Sequence, residues 1–462
     1  MKSTVLNPTK ENILDTFSKD SLKRNVDLVQ FIKMLWSIEG HFSIAVDGRW
    51  GSGKTFFIKQ CKAILESYIE MSAEFDINEK EEIKKIFSRY AGNQNIDVTT
   101  CLPIYYDAWA NDNDIDPVLS IAYEIEKTIN DVDYFVENSN IGKTLLKVFD
   151  AFAKTNTANL LDIDRTEDLL EEIKNQRCRK EKICNFLEVI RLEKAERIVI
   201  FIDELDRCKP DYAVKLLERI KHYFENDNVT FVFSVNLTEL QHTIKKYYGD
   251  NFDATRYINR FFDIIIPLPP VSIDKIYDIQ DSYLFNANNK KIGKICKYFG
   301  FQMREISKYV SYVKFTDYEI KNSFWENTKN LSYVFCLKCV VPIMIGLRIY
   351  DMDMYYSLKS GKDDRTFIDI LSDEEIFGGF YRYFLNKDET YNDEDGMKTV
   401  KVTEKLHKIY EYLFVFNYDS LLYNDSFYVG CLEFDIEIRN KLFKLESLFD
   451  KEAEILYTND KE

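Results

Sequence analysis

The segment Gly48-Arg-Trp-Gly-Ser-Gly-Lys-Thr55 constrains this chain more than any other. It meets the pattern G-x-x-x-x-G-K-S/T at every position. The glycines free the backbone to wind so that successive N–H groups point into one hollow. The apolar run His41–Val46 before it reads as a strand, and Thr55–Met71 after it has a helical pattern. A loop between such elements sets the positive end of a helix behind a phosphate. Gly48, Arg49, Trp50, Gly51, Ser52, Gly53, Lys54, Thr55 and the next residue, Phe56, are therefore expected to line a nucleotide. Lys54 is expected to reach its outer phosphates, and Thr55 to hold Mg2+ through its hydroxyl. A chance glycine turn is the competing reading; the flanking strand and helix weigh against it.

A second motif supports the first. Ile198–Ile202 is wholly apolar and mostly β-branched, as a central parallel strand would be. It runs into Asp203-Glu204-Leu-Asp-Arg207. A carboxylate at such a strand end can reach a metal beside the loop, the role expected of Asp203. Glu204 is then placed to polarise the attacking water. A Glu directly after this Asp goes with an additional strand between the two motif strands, which Val229–Val235 can supply. Asn236, at the end of that run, can sense a terminal phosphate or cap the helix that follows.

Arginines offer further candidates. Arg256 and Arg260 precede the run Asp263–Leu268. AAA-type ATPases carry an Arg-Phe-Asp sequence at that place, and its arginine reaches a neighbouring subunit's nucleotide. Either residue can stabilise transition-state charge in trans or form an ordinary surface ion pair, and Arg207 competes for the first role. Arg304 lies early in a helical segment past the last strand. It fits the sensor arginine of a helical lid or a solvated helix charge.

Five short apolar runs, His41–Val46, Leu102–Tyr106, Ile198–Ile202, Val229–Val235 and Asp263–Leu268, alternate with helical segments. The alternation predicts an α/β fold with a parallel five-stranded sheet and helices on both faces. Residues 1–270 form this unit, with helical insertions at about 72–98 and 130–196; within the second, residues 163–196 are rich in Glu, Lys and Arg and are expected to be exposed. Residues 271–330 suggest a helical lid, and 331–462 a mainly α-helical region, a candidate partner or oligomer interface, with a polar loop at Lys387–Gly396. A chain of 462 residues exceeds a single core. Its net charge of −16 weighs against general nucleic-acid binding, which needs concentrated positive surface. Nine irregularly spaced cysteines, and a start without an apolar core of signal-peptide length, set the expectation of reduced thiols in the cytoplasm. Val334–Tyr350 is apolar but interrupted by Lys338, Pro342 and Arg348, which favours a buried helix over a membrane span. Within it, Cys336 and Cys339 form a lone CxxC without the second ligand pair a zinc site needs.

Together these motifs resemble the KAP family of P-loop NTPases. Tyr106-Asp-Ala-Trp109, followed by Asp116-Pro-Val-Leu119, is similar to the family's aromatic-Asn-Ala-Trp motif, with Asp107 in place of the usual Asn. Asp203-Glu-Leu-Asp-Arg-Cys-Lys-Pro210 resembles its acidic motif, and Ala213–His222 the helix after it. Ile258-Asn-Arg-Phe-Phe262 and Arg304 also fit. The likeness covers roughly residues 25–320, and Pro342–Gly346 carries a trace of it. Many members insert transmembrane helices in the NTPase domain. The corresponding segments are polar here, which implies a soluble branch, and soluble bacterial members often accompany antiviral defence operons. The resemblance implies a Mg2+-dependent ATPase that assembles with itself or regulates a partner effector protein. A slow-turnover nucleotide switch or scaffold is the alternative. A small-molecule kinase shares the loop, but the helical C-terminal region and Glu204 count against it.

Overall fold

The five apolar runs form strands: β1 Phe42–Asp47, β2 Cys101–Asp107, β3 Arg197–Asp203, β4 Val229–Val235 and β5 Ile264–Pro267. The computed structural model describes residues 6–69, 74–92, 97–132, 140–158, 165–224, 228–269, 289–322, 330–373, 397–415 and 426–443. The strands pair in parallel in the order β2-β3-β4-β1-β5. The additional strand, β4, therefore lies between β3 and β1. β3 and β4 are buried along their whole length, as central strands of a doubly covered parallel sheet must be. The register sets Asp107 level with Asp203, Asp203 with Ser234, and Asp47 with Val235. Four strands thus finish along one edge, where their last side chains meet the loops.

Helices connect them. α1 Lys10–Lys19 and α2 Asn25–Ser37 are two separate helices before β1. The break comes at Asp20, whose left-handed backbone (φ 48°) closes α1. α3 Lys54–Ser67 follows the glycine loop, and α4 Ile77–Ala91 opens on a reciprocal capping box between Asp76 and Glu79. α5 Pro117–Val132, α6 Asn140–Ala158 and α7 Arg165–Lys194 come between β2 and β3. α7 corrects the expectation of an exposed elaboration. Ile183, Phe186, Leu187 and Ile190 recur on one face and are buried in the same core as the strands. α8 Pro210–Tyr223, α9 Leu237–Tyr248 and the short α10 Ala254–Ile258 complete the set, with Pro210 supplying the preset φ of a first helical turn.

The chain divides into two compact units, Asn7–Ser272 and, with the first six residues, Ile273–Glu462. In the second unit α11 Asn289–Tyr298, α12 Met303–Asn322 and the run Leu331–Tyr350 contribute to one core that extends from Ile292 to Leu442. Segments on both sides of position 330 therefore share a single interior. Leu331–Tyr350 is long and apolar enough to cross a membrane, yet 78% of its most apolar window is buried in protein. A π turn at Cys336–Val340 precedes Pro342 and widens the helix where the proline ring would otherwise meet a carbonyl one turn back. Cys336 and Cys339 are buried free thiols within it. A small antiparallel hairpin, β6 Phe427–Val429 and β7 Leu432–Phe434, turns at Gly430 (φ 60°); it was not expected in a helical region. The polar loop expected at Lys387–Gly396 lies outside the described residues.

Candidate functional site

The loop Gly48–Gly53 leaves β1 and delivers the chain into α3. The Gly48 N–H donates to the Val235 carbonyl of β4 at 3.0 Å, which ties the loop to the sheet edge. Gly51 and Gly53 hold φ of 78° and 88°, a region that strains any residue with a Cβ. A Cβ on Gly48 would fall 2.8 Å from the Ser52 hydroxyl. Lys54 folds back over the loop and donates from Nζ to the Gly48 carbonyl at 2.6 Å. Burial lowers its pKa, against the pull of Asp206 and Asp203. Trp50 stands half exposed at the rim and donates from its indole to Asp206 at 2.6 Å. Arg49 is exposed, whereas the Phe56 ring is buried in the core. Only the backbone of Phe56 can therefore meet a ligand.

The acidic motif lies at the same edge. Asp203 is fully buried. The Tyr105 hydroxyl and the Glu204 N–H each donate to its carboxylate at 3.0 Å. Burial raises its pKa; the neighbouring Ser234, Thr55 and Tyr105 hydroxyls and the Glu204 N–H pull the other way. A buried carboxylate beside the Thr55 hydroxyl offers two hard oxygen donors, the kind Mg2+ takes. Glu204 sits in the left-handed region (φ 58°, ψ 26°), where a side chain is sterically disfavoured. Its Oε1 is 3.1 Å from Nη1 of Arg207, and that guanidinium lies over the Trp109 ring at 5.4 Å. Burial raises the Glu204 pKa; Arg207 lowers it, and Asp203, Asp107 and Asp206 add to the rise.

Asn236 opens α9, but its side chain makes no capping hydrogen bond. Asp47 takes the capping role instead, accepting from the Leu237 N–H at 2.9 Å. The Asn236 amide is thereby left beside the ends of β1 and β4. Arg256 and Arg260 are exposed and lie just before β5, at the amino end of the strands. Arg260 borders a small cavity of about 140 Å³ with His41, Ser43, Lys221 and Asp263. In a parallel sheet this is the end opposite the glycine loop, so one chain does not bring these arginines to its own site. Arg304 is the exposed second residue of α12, in the other unit.

Four residues at the site went unread in the sequence. Asp206 lies within the acidic motif, directly before Arg207, and Tyr105 directly before Tyr106 of the aromatic motif. Asp47 ends β1 directly before the loop. Arg24 is a different case: it stands 24 residues upstream of Gly48 and nothing local distinguishes it from other basic residues. The structure nevertheless buries it against the loop, with Nη2 donating to the Ser52 carbonyl at 3.1 Å.

The family profile described as the KAP family P-loop domain matches residues 26–298, more than half of the chain. No curated protein matches it. The chain belongs to the KAP family of P-loop NTPases, and its parallel five-stranded sheet is the fold of a nucleotide-binding domain of that kind.

Proposed function

We propose that this KAP-family chain binds ATP with Mg2+, hydrolyses it, and uses its nucleotide state to assemble with itself or with a partner effector protein. The observation that carries the reading is the juxtaposition at one sheet edge of the glycine loop, the Thr55 hydroxyl, the buried Asp203 carboxylate and Glu204. Thr55 and Asp203 would hold the metal, which would supply positive charge against the charge developing on the phosphates. Lys54 would exchange its bond to the Gly48 carbonyl for the outer phosphates. Glu204 would accept a hydrogen bond from the attacking water and orient it in line. Asn236, at the end of β4, is suited to sense the terminal phosphate. Arg256 and Arg260 face away from their own site and are suited to a neighbouring copy's.

The setting proposed is cytoplasmic and regulatory, of the kind antiviral defence systems use. Effector chemistry is assigned to another chain. The test uses two variants. Lys54→Ala is expected to lose nucleotide binding, and Glu204→Gln to bind ATP but release no phosphate. Wild-type turnover by Glu204→Gln would sink the assignment. The alternative is a slow-turnover nucleotide switch or scaffold. Single-turnover kinetics with and without partner separates the two readings. Steady phosphate release without an added acceptor counts against a kinase.

A further inference from the structure

Arg24 is buried to 2% exposure at the head of α2. Of its N–H groups, Nη2 donates to the Ser52 carbonyl at 3.1 Å. Among the described residues, Nε and Nη1 have no hydrogen-bond partner. Burial lowers the guanidinium's pKa to about 10, and Asp27, three residues on, opposes this only in part. A buried charge with unmatched donors destabilises the fold that holds it. An apolar side chain of similar length would avoid that cost, so the arginine answers a demand other than the stability of the empty chain.

The bond to Ser52 indicates the demand. In a trans peptide the C=O and the next N–H point in opposite directions. Holding the Ser52 carbonyl therefore turns the Gly53 N–H away from Arg24. Gly53 is the N-cap of α3, in the left-handed region (φ 88°, ψ 28°), and glycine offers little steric resistance to a flip of that peptide. The Gly53 N–H belongs to the set of donors with which a helix start receives an anion. A guanidinium behind the peptide also polarises it, which strengthens its N–H as a donor. The Ser52 hydroxyl, buried and without a partner in the same peptide neighbourhood, is a second donor awaiting an acceptor.

We propose that Arg24 is the positioning residue of the phosphate loop: it fixes the Ser52–Gly53 peptide with its N–H toward the phosphate chain of a bound nucleotide and sets a positive charge behind it. The inference rests on the reading that this loop takes a nucleotide. The ligand chemistry concerned is the di- or triphosphate, not the base or ribose. The unmatched charge is stability that the empty chain forgoes and the phosphates restore.

The test compares the full chain with Arg24→Met and Arg24→Lys by thermal unfolding without ligand, and by affinity for ADP, Mg2+-ATP and inorganic tripolyphosphate. Arg24→Met is expected to keep or raise the ligand-free midpoint while losing about tenfold or more in affinity for all three ligands. Arg24→Lys, which keeps the charge and one donor, should recover part of the loss. A ligand-free midpoint lowered by several degrees, or a variant that does not fold, would make Arg24 a structural support and overturn the proposal. So would affinities within about twofold of wild type, or a loss confined to ATP and ADP with tripolyphosphate unaffected. Should the wild type bind none of the three, the nucleotide reading itself falls. The ligand-free midpoint of Arg24→Met then still decides whether the arginine is kept against the fold's own stability.

Discussion

Nη1 of Arg207 lies 3.1 Å from Oε1 of Glu204, one 3-10 turn away along the chain. The pair ties the carboxylate proposed to orient water to a guanidinium that rests on the Trp109 ring. Burial, with Asp203, Asp107 and Asp206, disfavours charge on Glu204, and Arg207 opposes them. Arg207→Ala is therefore expected to lower kcat by about tenfold or more while nucleotide affinity stays within about threefold. Trp109→Ala, which removes only the platform, should give a smaller loss in the same direction. Steady-state kinetics beside equilibrium binding checks this; an unchanged kcat in Arg207→Ala would show that Glu204 does not depend on the pair.

Trp50 offers a direct reporter of the loop. The chain has four tryptophans; Trp36 is buried in the core, whereas the Trp50 indole is half exposed and bonded to Asp206. On the proposed reading, phosphate entering the loop would displace Lys54 from the Gly48 carbonyl and alter the charge facing that indole. Mg2+-ATP is expected to change the tryptophan emission of the wild type, with most of the change lost in Trp50→Phe and none seen in Lys54→Ala. The same change in Trp50→Phe would place the signal elsewhere.

Glu66 makes stability depend on pH. Burial pushes its carboxyl up to about 7, with Glu74 adding to the rise, although Lys62 lies 2.5 Å away and pulls the other way. The fold thus prefers the protonated form. This contribution is fully present below the ordinary carboxyl range and is lost as pH rises toward about 7. Glu66→Gln keeps the neutral shape and leaves Lys62 paired with Glu74 at 2.7 Å. Its thermal midpoint should gain on the wild type by a few degrees, roughly 2–6 °C, between about pH 5 and pH 8. A constant difference across that range would show that Glu66 is charged throughout.

Gly346 sets two effects against each other. Alanine in a helix interior gains about 1 kcal/mol over glycine. Here, however, an added Cβ would fall 2.4 Å from Cε2 of Phe299, which is itself buried between its neighbours. Overpacking of this kind costs about 1–3 kcal/mol. Gly346→Ala is expected to lower the midpoint of the second unit, because ring and helix must part. A midpoint equal to or above that of the wild type would mean that Phe299 can shift at little cost.

Much of this molecule is written in short stretches. The glycine loop, the apolar β3 and the acidic pair after it are local patterns, because a phosphate hollow and a strand-end carboxylate each need only a few consecutive residues of the right kind. The alternation of strands and helices carried the parallel five-stranded sheet, and the short motifs carried the family, for the same reason. α7 was misjudged because charge density hid a narrow apolar stripe, and the hairpin at Gly430 was too short to register. What the tertiary structure decided lies between segments. Strand register set Asp107, Asp203 and Ser234 side by side. Chain reversal gave the cap of α9 to Asp47 rather than to Asn236, and turned Arg256 and Arg260 away from their own site. Above all, it buried Arg24 against Ser52. A motif can state which residues surround a phosphate, but a charge held behind the loop by packing comes from distant chain, and its position exists only once the core has closed around it.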